Sequence, residues 1–214
     1  MSLEDILKNI QTELVKKDQL RQEIHSSMRK VIRLSKQAIF LVHKTKFEEA
    51  KKTLTEAEKI FAAQKKLAKN DPELFCMGDV DAAFQEYAEA HSFLSMVEEG
   101  HFVNPAEINV PTVSFVLGLA DVVGELRRRA LDFIRKGDSE TAEECLELME
   151  AMYMELINLD EIQYLAPGLR RKCDVARRVI EATRGDITTE VRRNMLENSI
   201  TELKKTLEKK NKKK

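Results

Sequence analysis

Neither glycine nor proline occurs in this 214-residue chain before Pro72. Because these two residues are the strongest breakers of helices, such a stretch can form unusually long ones. Its apolar residues recur at spacings of three and four, the period of one helical face. We predict a first helix of about forty residues that ends near His43, and a second from about Lys46 to Lys69, with Thr45 as candidate N-cap. The apolar positions of the first helix include Leu3, Ile6, Leu7, Ile10, Leu14, Ile24, Met28 and Val31.

Breakers return after residue 70 and divide the rest of the chain into four further helices. Segment 70–79, NDPELFCMGD, is the first break. Capping residues and helix-breaking residues mark the boundaries that follow. The predicted elements are a third helix from Asp79 or Asp81 to about Glu98, a loop over 98–112, a fourth helix from Pro111 to near Gly137, a fifth from Asp138 or Ser139 to about Asn158, a break at 166–168, and a last helix from Leu169 onward that bends, if at all, at 184–186.

No segment alternates apolar and polar residues for long enough to predict a β-strand. We therefore predict an all-α fold, a single-domain bundle of about six or seven helices over residues 1–214 with a basic tail at about 204–214. A solvated helix end is favoured for that tail over an RNA-phosphate contact. The first helix would be about 60 Å long at 1.5 Å per residue, longer than a compact domain of this size is wide. It is expected to project or to pack against other subunits.

Charge and cysteine content exclude several classes of protein. The formal net charge of −1 is not that of a bulk nucleic-acid binder, so a polyanion would have to be held by local patches. Cys76, Cys145 and Cys173 have no metal-ligand spacing and indicate reduced, buried thiols in a cytoplasmic protein. The N-terminus lacks the apolar core of a signal peptide, and no window approaches the roughly 20 apolar residues of a membrane span.

Two pairs of carboxylates interrupt segments that are otherwise uncharged. Glu86 and Glu89 are the charged residues of segment 82–97, and Asp121 and Glu125 those of segment 111–126. Each pair lies on one face of a predicted helix. If the two helices pack side by side, four carboxylates converge into a site of oxygen ligands that suits Mg²⁺ or Mn²⁺. Gly118 and Gly124 would permit close approach of a neighbouring helix or a ligand.

Other interpretations of these charged residues remain open. Glutamates three or four apart are common in helices, and Asp121 and Glu125 could form structural ion pairs with the arginines of segment 127–129. Arg127 and Arg128 could hold an RNA phosphate, although solvated helix faces are the more frequent role. His91 could contact phosphate or transfer a proton, whereas a core or surface histidine is more common.

Three stretches resemble the translin family, and more its translin-associated factor X (TRAX) branch than translin itself. They are RKVIRLSKQAIFLVHK at 29–44, FQEYAEAHSF at 84–93 and VSFVLGLADVVGELRRRALDFIRKGD at 113–138. The resemblance implies a helical subunit of a hollow octameric shell and a metal-dependent endoribonuclease that acts on single-stranded RNA. Its catalytic acids fall in the motifs QEYxEA and ADxxGE. Carried over to this sequence, those acids are Glu86, Glu89, Asp121 and Glu125.

Three functional hypotheses follow from the resemblance and the charge pattern together. The preferred one is an endoribonuclease that uses Mg²⁺ or Mn²⁺ to cleave single-stranded RNA within an oligomer. The loop at 98–112 is shorter than in the animal TRAX form, which favours a homo-oligomer, expected to be an octamer, over assembly with a translin-like partner. The alternative is a non-catalytic binder of single-stranded RNA or DNA. The third hypothesis is a helical scaffold whose acids form ion pairs.

Overall fold

A computed structural model describes residues 2–70, 72–75, 78–159 and 164–211, without the side chains of 70, 72 and 210. Helix forms nearly all of these residues, and no strand occurs among them. The all-α prediction is therefore confirmed. Two short 3₁₀ turns, Ala68–Asn70 and Pro72–Phe75, interrupt the chain between the second and third helices. The α-helices are α1 Leu3–His43, α2 Phe47–Leu67, α3 Gly78–Glu98, α4 Thr112–Ile134, α5 Ser139–Ile157 and α6 Leu169–Asn211.

The turn between α1 and α2 differs from the prediction. Helix α1 ends at His43 as expected, but Thr45 does not cap α2. Its φ of 57° is left-handed, and its hydroxyl donates to the carbonyl of Lys44 rather than accepting from the helix. Lys46 takes the N-cap position without a side-chain hydrogen bond. The backbone reverses through the left-handed residue that commonly ends a helix, and this conformation turns the Thr45 side chain away from the next one.

The remaining boundaries agree with the prediction to within a few residues. Helix α3 begins at Gly78, so Asp79 and Asp81 lie in its first turn, where carboxylates interact favourably with the helix dipole. Asp138 caps α5: its Oδ1 accepts from the backbone N–H of Thr141 at 3.1 Å, a hydrogen bond that lowers the pKa of the carboxyl. Helix α6 continues through Gly185 without interruption.

The chain divides into two compact units, Met1–Val122 and Val123–Lys214, and the boundary falls within α4. In the first unit α1 packs on both α2 and α3, and the core includes a stacked pair of rings, Phe61 and Phe84, 4.3 Å apart. In the second unit α5 packs on α6 around the fully buried Met149 and Ile187. The single-domain assignment of the sequence stays a prediction.

Buried thiols agree with the expectation for two of the three cysteines. Cys145 and Cys173 are free and buried, and burial raises the pKa of each thiol. Cys76 lies outside the described residues. None of the helices in the described part of the chain is long and apolar enough to cross a bilayer.

The first part of α1 carries an exposed apolar stripe, here called the α1 stripe: Leu3, Leu7, Ile10 and Leu14. Their spacing of four, three and four is that of a coiled-coil seam, and Leu3 is 70% exposed. Burial of α1 begins only at Ile24. Since contiguous exposed apolar surface usually marks an interface, the stripe favours packing of α1 against another subunit.

We predict that charging the α1 stripe lowers the molar mass of the assembly. Leu7→Lys with Ile10→Lys places two ammonium groups in the seam, where their desolvation opposes association. Static light scattering should give a smaller mass than for wild type. Asn9→Lys with Thr12→Lys adds the same charge on the opposite face of α1 and should leave the mass unchanged. A monomeric wild type, or equal loss of mass in both double variants, would contradict the prediction.

Candidate metal centre

Helices α3 and α4 make direct backbone contact at Gly118. A Cβ built on Gly118 would lie 3.0 Å from the Cβ of Ala88 and 3.0 Å from the backbone nitrogen of Glu89, and closer still to the carbonyl oxygen of Gln85. Real side chains essentially never approach so closely, so only glycine allows the helices this near one another. The predicted role of Gly118 in close helix approach is confirmed. At Gly124, by contrast, a Cβ would meet no described atom within 4 Å.

The contact at Gly118 brings the turns that carry three of the four predicted acids together. Glu86 and Glu89 belong to the turn of α3 that Gly118 touches, and Asp121 lies one turn further along α4. All three side chains are half-buried. A half-buried carboxylate keeps access to water and ions but is less hydrated than one on an open surface. The arrangement of the helices therefore agrees with the packing that the sequence predicted.

Glu86 has a cationic partner from α1. The Nζ of Lys36 lies 3.2 Å from its Oε1, with the lysine side chain 63% exposed and the glutamate 27%. An ion pair with so exposed a partner contributes only about 0–1 kcal/mol, so another cation can displace the ammonium at small cost. Sequence reasoning did not identify Lys36, because the residue lies fifty positions before Glu86 and shares no spacing pattern with it.

The side chains themselves do not form a metal cage. Among the described residues, no group of three or more His, Cys, Asp or Glu is arranged so that it could hold a metal ion. The donor chemistry nevertheless fits a hard cation, since three carboxylates are carried by adjoining turns and one of them already pairs with an ammonium. Convergence of the four acids on one ion thus stays a prediction that requires rotation of side chains.

Glu125 follows Asp121 by one turn of α4 and is half-buried. Its Oε2 lies 3.7 Å from Nη1 of Arg128. The structural ion pair considered as an alternative in the sequence therefore occurs at this residue. Glu125 falls in the second compact unit, whereas the other three acids fall in the first. Its role as a metal ligand stays a prediction from the family resemblance.

The two candidate RNA-binding arginines have different environments. Arg127 donates to the Thr183 hydroxyl at 2.7 Å and to Asp186 at 3.1 Å, and Thr183 is fully buried. Its guanidinium thus joins α4 to α6. Arg128 is 53% exposed and touches Glu125 alone in the contacts described here. Arg128 is the better placed of the two to meet a phosphate, and RNA binding by either residue stays a prediction.

His91 lies on a different face of α3 from the acid pair. At 100° per residue it is about 140° from Glu86 and about 160° from Glu89 around the helix. Its ring packs edge-on against Tyr87 with centroids 4.5 Å apart, and its Nε2 is buried without a hydrogen-bond partner. Burial lowers the pKa of His91 to about 4, so the imidazole is neutral at pH 7. Phosphate contact by His91 stays a prediction, and at neutral pH it would involve an uncharged ring.

The sequence profile of the translin family matches residues 19–182. The chain belongs to the translin family. The family resemblance that the sequence motifs indicated is therefore confirmed. Among curated proteins, this translin-family chain is similar to an uncharacterised protein of Methanocaldococcus jannaschii, with 32% identity over 178 residues, 82% of this chain and 78% of that protein. It is also similar to the translin-associated protein X of Pongo abelii, with 26% identity over 160 residues, 56% of this chain and 55% of that protein, about half its length.

Solved structures give the same family and the same fold. The AfC3PO–duplex RNA complex has 32% identity and a TM-score of 0.77, over 88% of this chain and 98% of the matched chain. AfC3PO without that ligand has 33% identity and a TM-score of 0.78 over the same shares. Apo-NeC3PO, at 24% identity and a TM-score of 0.75 over 86% of this chain and 96% of the matched chain, is a likeness of fold alone. The translin-like all-α fold predicted from the sequence is confirmed.

The burial of His91 leads to a pH-dependent stability. Its folded pKa, about 4, is below the ordinary 6.5, so the unfolded chain binds a proton more readily than the folded one. The stabilisation is complete above pH 6.5 and is lost as the pH falls toward 4, by up to about 1.4 kcal/mol per pH unit. Urea unfolding between pH 7 and 5 should therefore give a steeper decline for wild type than for His91→Phe. His101→Asn, at an exposed histidine, should keep the wild-type slope. Equal slopes in wild type and His91→Phe would contradict this account.

Proposed function

We propose that this protein is an endoribonuclease that uses Mg²⁺ or Mn²⁺ and works as an oligomer. Membership of the translin family supports the reaction class. The observation that carries the proposal is the contact at Gly118, since it brings the turns bearing Glu86 and Glu89 against the helix that bears Asp121. Two uncharged helices that each present acids at their closest approach are typical of a metal-binding catalytic centre rather than of a solvated surface.

RNA is the substrate class that the comparisons favour. AfC3PO was solved in complex with duplex RNA, and its similarity to this chain extends over 88% of the sequence. The family resemblance points to single-stranded RNA instead, so both forms belong in the experiment. Any phosphate contact must come from local cationic groups, because the chain as a whole has a net charge of −1. Arg128 is the exposed candidate beside the acids of α4.

In this proposal Glu86, Glu89 and Asp121 hold the cation, with Glu125 as the fourth ligand assigned by the family motif. A bound divalent ion would lower the pKa of a water molecule and neutralise charge that develops on the phosphodiester. Lys36 keeps Glu86 neutralised until the cation replaces its ammonium. The half-buried positions of these carboxylates strengthen their electrostatic effect relative to exposed groups.

The decisive experiment measures cleavage of end-labelled RNA by the purified protein. We expect cleavage with Mg²⁺ or Mn²⁺, loss of cleavage with EDTA, and recovery when Mg²⁺ is restored in excess. Single-stranded and duplex RNA of the same sequence identify the preferred form. Retention of RNA without any cleavage, weakened by salt as counterion release requires, would support the non-catalytic binder instead.

The scaffold hypothesis predicts a different result with metal alone. A protein that binds Mg²⁺ only in its folded state gains stability with the concentration of the ion. We therefore expect millimolar Mg²⁺ or Mn²⁺ to raise the melting temperature at constant ionic strength. Neither a shift in melting temperature nor any cleavage would leave the acids with the role of structural ion pairs.

A further inference from the structure

A polar cavity of about 290 Å³ lies between α2, α3 and the loop that follows α3, all within the first compact unit. It does not belong to the acid site, because His91 faces it and lies on the other side of α3 from Glu86 and Glu89. Such a volume exceeds what one or two buried waters fill. Its polar lining consists mainly of Lys51, Thr55, His91, Ser95, Glu98 and His101.

Two buried atoms of this lining have no hydrogen-bond partner among the described residues. They are Nε2 of His91 and Oε2 of Glu98. The other oxygen of Glu98 accepts a 2.7 Å hydrogen bond from Nζ of Lys51, and the carboxylate is only 19% exposed. A buried carboxylate oxygen without a donor is costly, so the position calls for a ligand that supplies one.

The rest of the lining is already paired. Nε2 of His101 lies 3.0 Å from the Ser95 hydroxyl, and its Nδ1 lies 3.2 Å from Oε2 of Glu99. Lys51 also lies 4.0 Å from the other oxygen of Glu99. These contacts hold the mouth of the cavity in place. They leave the two unpartnered atoms as the groups that can bind something new.

The chemistry of these two atoms selects the ligand. An ionised carboxylate oxygen only accepts hydrogen bonds, which disfavours an anion. A neutral imidazole also accepts at Nε2 when its proton is on Nδ1. A metal ion is disfavoured, because no group of three or more His, Cys, Asp or Glu among the described residues could hold one. Leu94 and Val103 add apolar surface beside the polar groups.

We propose that this cavity binds a primary alkylammonium ion, with its N–H groups donating to Glu98 Oε2 and His91 Nε2 and its alkyl stem against Leu94 and Val103. An ammonium carries three donors, so it satisfies both atoms and keeps one for water or the Ser95 hydroxyl. Its charge also complements the cavity, where Glu98 and Glu99 outnumber Lys51. Free small amines are the class of ligand that this site takes.

The test is isothermal titration calorimetry of the purified full-length protein with butylamine at constant pH and ionic strength. We expect saturable binding of butylammonium and none of 1-butanol, which lacks the charge. Tetramethylammonium, which has the charge but no N–H donor, should not bind either. No saturable binding up to about 50 mM, a very weak affinity, would overturn the proposal in favour of ordered water. Equal binding of tetramethylammonium would reduce it to unspecific charge attraction and would also overturn it.

Matched variants locate the site. Glu98→Gln should weaken butylammonium binding by about tenfold or more, the effect of one charge-assisted hydrogen bond. Glu48→Gln removes the same charge from an exposed glutamate 3.6 Å from Lys51 but outside the cavity, and should change the affinity less than about twofold. Circular dichroism checks that both variants fold. Equal weakening in the two variants would contradict the assignment, whereas RNA cleavage is independent of either outcome.

Discussion

Replacing Asp121 by asparagine should slow RNA cleavage by about a thousandfold or more, with little change in fold. The substitution keeps the size of the side chain but removes the charge that would hold a divalent ion. A thousandfold loss corresponds to about 4 kcal/mol of transition-state stabilisation, within the range for a group at a developing charge. Single-turnover cleavage of end-labelled RNA at saturating Mg²⁺ measures the effect.

Asp132→Asn is the matched control for that variant. Asp132 lies on the same helix, and its carboxylate forms a 3.0 Å ion pair with Arg135 at the surface. We expect its cleavage rate to remain within about twofold of wild type, as surface ion pairs contribute little. Comparable activity in wild type and Asp121→Asn would contradict a catalytic role for Asp121. A large loss in both variants would indicate a general effect of charge on RNA binding.

Replacing Gly118 by alanine should destabilise the protein by about 3 kcal/mol, the upper part of the range for overpacking. The new methyl group would meet the backbone of α3 at Gln85 and Glu89, and backbone atoms cannot move aside as a flexible side chain can. The two helices would have to separate, and Asp121 would move away from Glu86 and Glu89. We expect a lower midpoint in urea unfolding together with slower RNA cleavage.

Gly124→Ala is the corresponding control on the same helix. Gly124 is exposed, and no described atom lies within 4 Å of the position of its missing Cβ. Alanine in a helix interior is about 0.5–1 kcal/mol more favourable than glycine, so this variant should be slightly more stable than wild type. If Gly118→Ala were as stable as Gly124→Ala, the close contact of α3 with α4 would be wrong.

The helices were predictable from the sequence because the breakers are few and the apolar spacing is regular. Helix α1 ends at His43 as the periodicity indicated. Thr45 was assigned wrongly because threonine is a good N-cap by residue type, whereas its role depends on the backbone conformation of the turn. That conformation follows from how α1 packs on α2, which no local pattern contains.

The candidate site was predictable in part. Charge depletion around Glu86, Glu89, Asp121 and Glu125 singled out the acids, and Gly118 indicated the close approach of two helices. The pairing of Glu86 with Lys36 depends on the packing of α1 against α3, and therefore on contacts between residues distant in the chain. The orientation of each carboxylate is a matter of rotamers, which spacing along a helix leaves undetermined.

The most direct test of the central claim is anomalous diffraction from crystals grown with millimolar Mn²⁺. The account predicts a manganese peak between α3 and α4 within about 2.5 Å of carboxylate oxygens of Glu86, Glu89 and Asp121, with Lys36 displaced from Glu86. An oxygen of Glu125 in the same coordination sphere would establish the fourth ligand. A well-ordered structure with no peak at these carboxylates, or with Lys36 still paired to Glu86 and manganese bound elsewhere, would contradict it.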